Sequence, residues 1–228
     1  MSVKNLGIIG GGQLGSLLAV AAKKLNINTI IYCDDADAPA QNFCNKFIHG
    51  RYDDKVKMQE FIKEIDVITY EFENIPYETL NEMNKIKPVL PKPSVNRLIQ
   101  HRIAEKDFVN KLNIRTTRYA SIESKSDMEP LGDFLPGILK TTTMGYDGKG
   151  QYPIKKIEDI DNLNIDFSKG YILEKLVKLK KEISVIITRF GNNSYEIYEP
   201  IENTHEDQIL KHSIIPAEIN KKIFDESK

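Results

Sequence analysis

Apolar runs and helical spacings alternate through the first third of the chain. Asn5 to Gly10 is a short apolar run that ends in glycines. Helix formers follow from Ser16 to Leu25. Apolar residues at 14, 17, 18, 21 and 25 predict one buried helical face there. Ile27 to Tyr32 is strand-like, and Phe47-Ile48 sits in a short extended segment. Lys55 to Ile65 has helical spacing through Val56, Met58, Phe61, Ile62 and Ile65, and Asp66 to Phe72 again reads as a strand. Strands alternating with helices predict a parallel sheet with helices on both faces. Pro88, Pro91 and Pro93 interrupt the pattern, because no helix runs through them. Ser94 is then the predicted N-cap of a helix carrying Val95, Leu98, Ile99, Phe108, Val109 and Leu112.

From about residue 115 the character changes. Strand-like segments are predicted at 137–141, 151–154, 171–177, 182–190, 194–201 and 209–214, with charged and Gly-containing connections. This half reads as α+β with an antiparallel sheet. Ala217 to Lys228 begins a helical pattern too short to be stable alone.

Composition narrows the function classes. The 228 residues are 40% apolar and 29% charged, ordinary for a globular chain. Net charge is 32 − 33 = −1, so there is no basic excess to track nucleic acid or a membrane surface. The longest apolar stretches fall far short of the roughly 18 residues of a membrane span, and the N-terminus lacks a secretory pattern. Cys33 and Cys44 form neither a disulfide framework nor a zinc-type pair. A reducing, cytoplasmic location is expected.

Two glycine motifs carry candidate chemistry. Gly10-Gly11-Gly12-Gln13-Leu14-Gly15 satisfies G-x-G-x-x-G between a strand and a helix, with Asp34 19 residues on, as in a dinucleotide-binding unit. The same glycines also suit a tight strand-to-helix turn or another phosphate. The second motif is Gly145-Tyr146-Asp147-Gly148-Lys149-Gly150-Gln151, between two strand-like segments. It is no Walker loop. Its N–H groups suit a phosphate-cradling lid with Lys149 at the tip, or a plain hairpin turn. Lys140 ends an apolar strand, and it either snorkels or meets a ligand phosphate. Glu174-Lys175-Leu176-Val177 offers backbone groups to an adenine edge, and Glu182 suits ribose hydroxyls. Taken singly, each Glu is by default a surface strand residue.

In order, Gly7 to Gly15, Tyr52-Asp53-Asp54, Asp66 to Asn74, His101-Arg102 with Glu105-Lys106, Gly145 to Gln151, and Glu202-Asn203 with His205 resemble an ATP-grasp enzyme. Within that group the chain is similar to the 5-(carboxyamino)imidazole ribonucleotide synthase family of purine synthesis. The resemblance covers essentially the whole chain. It implies a Rossmann-like pre-ATP-grasp domain over 1–93, a linker helix and ATP-grasp lid over 94–177, and the start of a central ATP-grasp domain over 178–228. It also implies a carbon–nitrogen ligase that uses ATP to activate bicarbonate, by way of carboxyphosphate, and carboxylates 5-aminoimidazole ribonucleotide, releasing ADP and phosphate. The implied nucleotide site is Arg102, Lys140, Gly145 to Gln151, Glu174 to Val177, Glu182 and His205. The ribonucleotide would sit near Gln13, Glu73, Tyr146, Asp147 and Lys149, its phosphate neighbouring the first glycine turn. Tyr146, Asp147 and Lys149 are the implied catalytic residues. Tyr70 and Glu71 are expected to pack and support.

The sequence departs from the family at Met144, where Gly is usual, and at Glu206, where a basic or amide residue is usual. Family members are also longer. The Mg²⁺ ligands would lie in a C-terminal part absent here, which implies a truncated chain inactive alone, with an exposed apolar sheet and self-association. The resemblance implies a homodimer that the sequence itself does not show. Two further readings stay open: an NAD-dependent oxidoreductase on residues 1–90, and a non-catalytic nucleotide-binding fragment.

Overall fold

The computed structural model describes residues 3–145, 150–191, 194–206 and 209–228. The chain divides into two compact units, Met1–Thr116 and Thr117–Lys228.

The first unit runs β1 (Asn5–Ile9), α1 (Gln13–Lys24), β2 (Asn28–Cys33), β3 (Lys46–His49), α2 (Lys55–Lys63), β4 (Val67–Tyr70), α3 (Tyr77–Asn84), α4 (Pro93–Ile99) and α5 (Arg102–Lys111). Its four strands are parallel in the order β3-β2-β1-β4. Successive side chains on a strand point to opposite faces. Ile8, Ile31 and Cys33 therefore pack with Ala19 on one face, while Ile9, Ile30 and Tyr32 pack with Phe61, Ile62 and Leu80 on the other. Burial on both faces is what makes these short strands nearly continuous apolar runs.

The buried face of α1 is not the expected one. Gly15, Ser16, Ala19 and Ala22 are buried, whereas Leu14 and Leu17 are 53% and 64% exposed. The glycine turn sets the helix so close to the sheet that only small residues fit. A Cβ on Gly15 would lie 3.0 Å from the Gly10 carbonyl oxygen.

The single helix expected from Ser94 is two. α4 starts at Pro93 with Lys92 as N-cap, which puts Ser94 inside the first turn. His101 adopts extended backbone and caps α5, its Nδ1 accepting from the Ala104 N–H at 3.4 Å. The first compact unit runs on to Thr116, and within it buried Asn96 of α4 donates to the Ile75 carbonyl at 3.0 Å. The largely polar α3 had no apolar run to announce it, and it buries only Thr79, Leu80 and Met83.

The second unit opens with β5 (Tyr119–Ile122), β6 (Gly137–Thr141), β7 (Gln151–Ile154) and β8 (Tyr171–Lys175), antiparallel in the order β5-β8-β6-β7. Leu139 and Leu173 face a core with Ile122, Met128, Phe134 and Tyr171. Short 3₁₀ segments, Lys125–Phe134 and Ile157–Asn162, contribute to that core. Both start alike. Asp127 accepts the Glu123 and Ser124 N–H groups at 2.8 Å, and Asp159 accepts those of Lys155 and Lys156 at 2.8 and 3.1 Å.

The unit continues with β9 (Glu182–Ser184), β10 (Ile187–Arg189), β11 (Tyr195–Ile197), β12 (Ile201–Glu206), β13 (Ile209–Ile214) and α6 (Lys221–Ser227). β13-β12-β9 form one antiparallel sheet and β10-β11 a hairpin. The strand expected over 182–190 is thus split, and β5 was not anticipated. No helix among the described residues is long and apolar enough to cross a membrane.

Asp66 fixes the start of the first sheet. Its Oδ2 accepts the Lys4 and Asn5 N–H groups, both at 2.9 Å. Those two amides hold its carboxyl below the ordinary 3.8. A depressed carboxylate stabilises the fold above its unfolded value, and that stability is lost as pH falls through the folded value. Asp66→Asn is therefore expected to lower the urea midpoint at pH 7, with the gap to wild type closing once pH drops below 3.8.

Candidate functional site

In the first unit the candidate residues lie at the carboxy-terminal edge of the parallel sheet. The strand order reverses direction between β1 and β4, and open α/β sheets bind ligands at such a switch point. Gly10, at φ +97°, turns the chain from β1 toward α1. Gly12 donates its N–H to Glu71 Oε1 at 2.9 Å. Gln13 opens α1 and is exposed, as is Glu73. The Glu71–Gly12 bond joins the segments that carry the two.

The loop bearing Glu73 is held from α4 and the residue after it. Gln100 Nε2 donates to the Glu73 and Ile75 carbonyls, both at 2.7 Å. Sequence reasoning missed Asn96 and Gln100. Their signal is two polar residues four apart, one turn of a helix. Arg102 sits half-buried in the first turn of α5.

Two cavities open at this edge. One, of about 120 Å³, is lined by the glycine turn together with Asp34, Asp35 and Glu71. The other, of about 640 Å³, lies beside Arg51, Tyr52 and Thr79. Tyr52 borders both, and burial pushes its phenol well above the ordinary value. Burial likewise raises the Cys33 thiol, consistent with an inert core thiol.

In the second unit Lys140 and Glu174 meet on the sheet face opposite the core. Lys140 pairs with Ile172 and Glu174 with Ile138, so both side chains leave the same face. Lys140 Nζ lies 2.8 Å from Glu174 Oε2, with side-chain exposures of 18% and 10%. Glu174 is therefore a buried partner, not the surface strand residue that its sequence alone suggested. The segment after it is firmly seated. Lys175 and Leu176 donate their N–H groups to the Arg118 and Pro136 carbonyls at 2.9 and 3.0 Å. Thr117 Oγ1 donates to the Lys175 carbonyl at 2.7 Å. Leu176 and Val177 leave the sheet about half-exposed.

Glu182 and His205 also come together. Glu182 stands opposite Asn203, and His205 lies two residues further along β12 at a register shift. Such bulges re-aim side chains. His205 Nδ1 is 3.2 Å from Glu182 Oε2. Glu202, on the other face, clamps three segments. Its Oε2 accepts from Lys181 Nζ at 2.8 Å and from the Glu218 N–H at 3.2 Å, and Lys181 holds its carboxyl below the usual range.

Gly145, Gly150 and Gln151 are the described residues of the second glycine motif. Tyr146, Asp147, Gly148 and Lys149 lie outside the described residues. Met144 takes the left-handed conformation that a Gly would take easily, with φ +58°, and it is 67% exposed. Among the described residues no group of three His, Cys, Asp or Glu side chains is arranged to hold a metal ion.

The ribonucleotide synthetase pre-ATP-grasp domain model matches residues 3–100, and the ATP-grasp domain model matches residues 107–228. The chain belongs to the ATP-grasp family. Similar proteins include N5-carboxyaminoimidazole ribonucleotide synthases. The chain is 36% identical to the one from Brucella melitensis over 94% of its own length and 61% of that protein. The Staphylococcus aureus synthetase complexed with ADP superposes with TM-score 0.90 at 32% identity, covering 98% of this chain and 61% of that one. An ATP complex of the Aspergillus clavatus synthase gives TM-score 0.87 at 25% identity, over 98% and 60% of the two chains. The chain thus spans about three fifths of the length of these relatives.

Two outcomes follow from this geometry. Removing one partner of a close, largely buried ion pair costs about 3 kcal/mol or more. Lys140→Met is expected to lower unfolding stability by that amount, and Lys140→Met with Glu174→Leu to recover most of it in urea titrations. At Met144 a glycine removes the left-handed penalty of about 1 kcal/mol. Met144→Gly is expected to raise the melting temperature by a few degrees in a calorimetric scan.

Proposed function

We propose that this chain carries the nucleotide- and ribonucleotide-binding part of an ATP-dependent carboxylation of 5-aminoimidazole ribonucleotide. A bicarbonate oxygen attacks the γ-phosphorus of ATP, and ADP leaves. The amine of the aminoimidazole then attacks the carboxyphosphate carbon. Phosphate leaves, the nitrogen gives up a proton, and 5-(carboxyamino)imidazole ribonucleotide results. Developing negative charge on the transferred phosphoryl group calls for fixed cations and N–H donors. Exclusion of water protects the carboxyphosphate from hydrolysis.

The observation that carries this reading is the seated Lys140–Glu174 pair, in a chain whose relatives were crystallised with ADP and with ATP. Lys140 and Arg102 would hold phosphates, with Gly145 to Gln151 as the lid. The Glu174–Val177 segment would take adenine. Glu182 would take the ribose hydroxyls, with His205 beside it. Gln13, Glu73, Tyr146, Asp147 and Lys149 would meet the ribonucleotide, the last three as catalytic residues. Magnesium, cytoplasmic location and a homodimer belong to the same proposal.

Calorimetric titration of the chain with ATP and Mg²⁺, with NAD as the parallel ligand, tests the reading without needing turnover. ATP is expected to bind and NAD is not. Hydrogen bonds to a charged group are worth about 1.5–3 kcal/mol, so Glu182→Gln is expected to weaken ATP about tenfold or more. NAD binding without ATP binding would overturn the proposal.

A further inference from the structure

Glu73 lies midway along a loop whose two ends are fixed. At one end Glu71 donates its N–H to the Ile9 carbonyl of β1 at 3.1 Å. At the other end Ile75 is fully buried. Its carbonyl accepts from two side-chain amides, Asn96 Nδ2 at 3.0 Å and Gln100 Nε2 at 2.7 Å. Between these ends Phe72 and Glu73 are exposed, so core packing does not set where the Glu73 carboxylate stands. A bond to Glu73 itself comes from Gln100, whose Nε2 also donates to the Glu73 carbonyl at 2.7 Å. An amide nitrogen carries two hydrogens, and both are directed into this loop.

Gln100 is itself held in place. It is the C-cap of α4, and its N–H is bonded to the Asn96 carbonyl at 3.0 Å. Both partners of its side chain are carbonyl oxygens, which only accept, so the side chain at 100 must donate twice. Glutamate has the same shape and, when ionised, has acceptors only. The position therefore selects for donors, not for shape.

We propose that Gln100 is a positioning residue for Glu73, fixing the place of its carboxylate by holding the backbone of the loop that carries it. This inference rests on the proposed role of Glu73 toward the ribonucleotide. A loop fixed in advance has little ordering left to do on binding, whereas a loosened loop loses affinity to that ordering.

The test titrates 5-aminoimidazole ribonucleotide into the 228-residue chain, read at the Glu73 and Asn74 backbone amide resonances, and separately ATP with Mg²⁺ by calorimetry. Gln100→Glu keeps the shape and removes both donors, and Gln100→Met removes them without adding charge. Both variants are expected to weaken the ribonucleotide about tenfold and to leave ATP affinity within about twofold of wild type. A protonated carboxyl donates one hydrogen, so the loss in Gln100→Glu is expected to shrink from about pH 8 to about pH 5. The loss in Gln100→Met is expected to be the same at both. Unchanged ribonucleotide affinity in either variant, an equal fall in ATP affinity, or a Gln100→Glu loss that ignores pH would overturn this proposal alone, because the wild-type chain still binds both ligands. A wild-type chain that binds ATP but not the ribonucleotide would instead remove the ribonucleotide part of the proposed function, and this inference with it.

Discussion

One hydrogen bond, from the Gly12 N–H to Glu71, organises the functional edge of the first unit. It joins the turn leaving β1 to the segment leaving β4, the two neighbouring strands between which the sheet order reverses. The backbone there must be glycine, since a side chain on Gly10 or Gly12 would collide with or crowd the carboxylate. The close turn in turn draws α1 onto the sheet and limits its buried stripe to Gly15, Ser16, Ala19 and Ala22. One amide of the glycine turn is thus bonded to an internal carboxylate.

The second unit owes its candidate chemistry to a sheet with two unlike faces. One face packs Leu139 and Leu173 into the core. The other holds Lys140 against Glu174. Burial of that pair carries a desolvation cost that only close, partnered geometry offsets, so neither side chain is free to wander. The chain then leaves β8 with Lys175 and Leu176 anchored by their backbone. It reaches Glu182 within a few residues, where a bulge in β12 sets His205 beside the carboxylate. Residues distant in sequence become neighbours through strand register alone.

Much of this was legible in the chain. Strands β1, β2, β4, β6, β7 and β13 appeared close to their observed ends, because apolar runs bounded by Gly, Pro or charge have little alternative to sheet. The split of the helix after Pro93 was not legible. It rests on Gln100 reaching back to the Glu73 and Ile75 carbonyls and on His101 capping the next helix. The helix α3 was equally hidden, since only three of its positions are buried. Leu14 and Leu17 were read as core because periodicity reports where apolar residues recur. It does not report which face can approach the sheet.

By itself the sequence determined the α/β-then-α+β order, the two glycine motifs and Lys140, Glu174 and Glu182 as candidates, while His205 came only with the family resemblance. The former follow from local pattern and residue chemistry, which need no knowledge of neighbours. Only the tertiary structure decided what each candidate touches. Glu71 and Gly12 are 59 residues apart, and Lys140 and Glu174 are 34. Whether such groups meet depends on sheet order and register, which place charges within hydrogen-bond reach through the summed packing of both faces. What a glycine turn touches is set at that distance, beyond the range of any local motif.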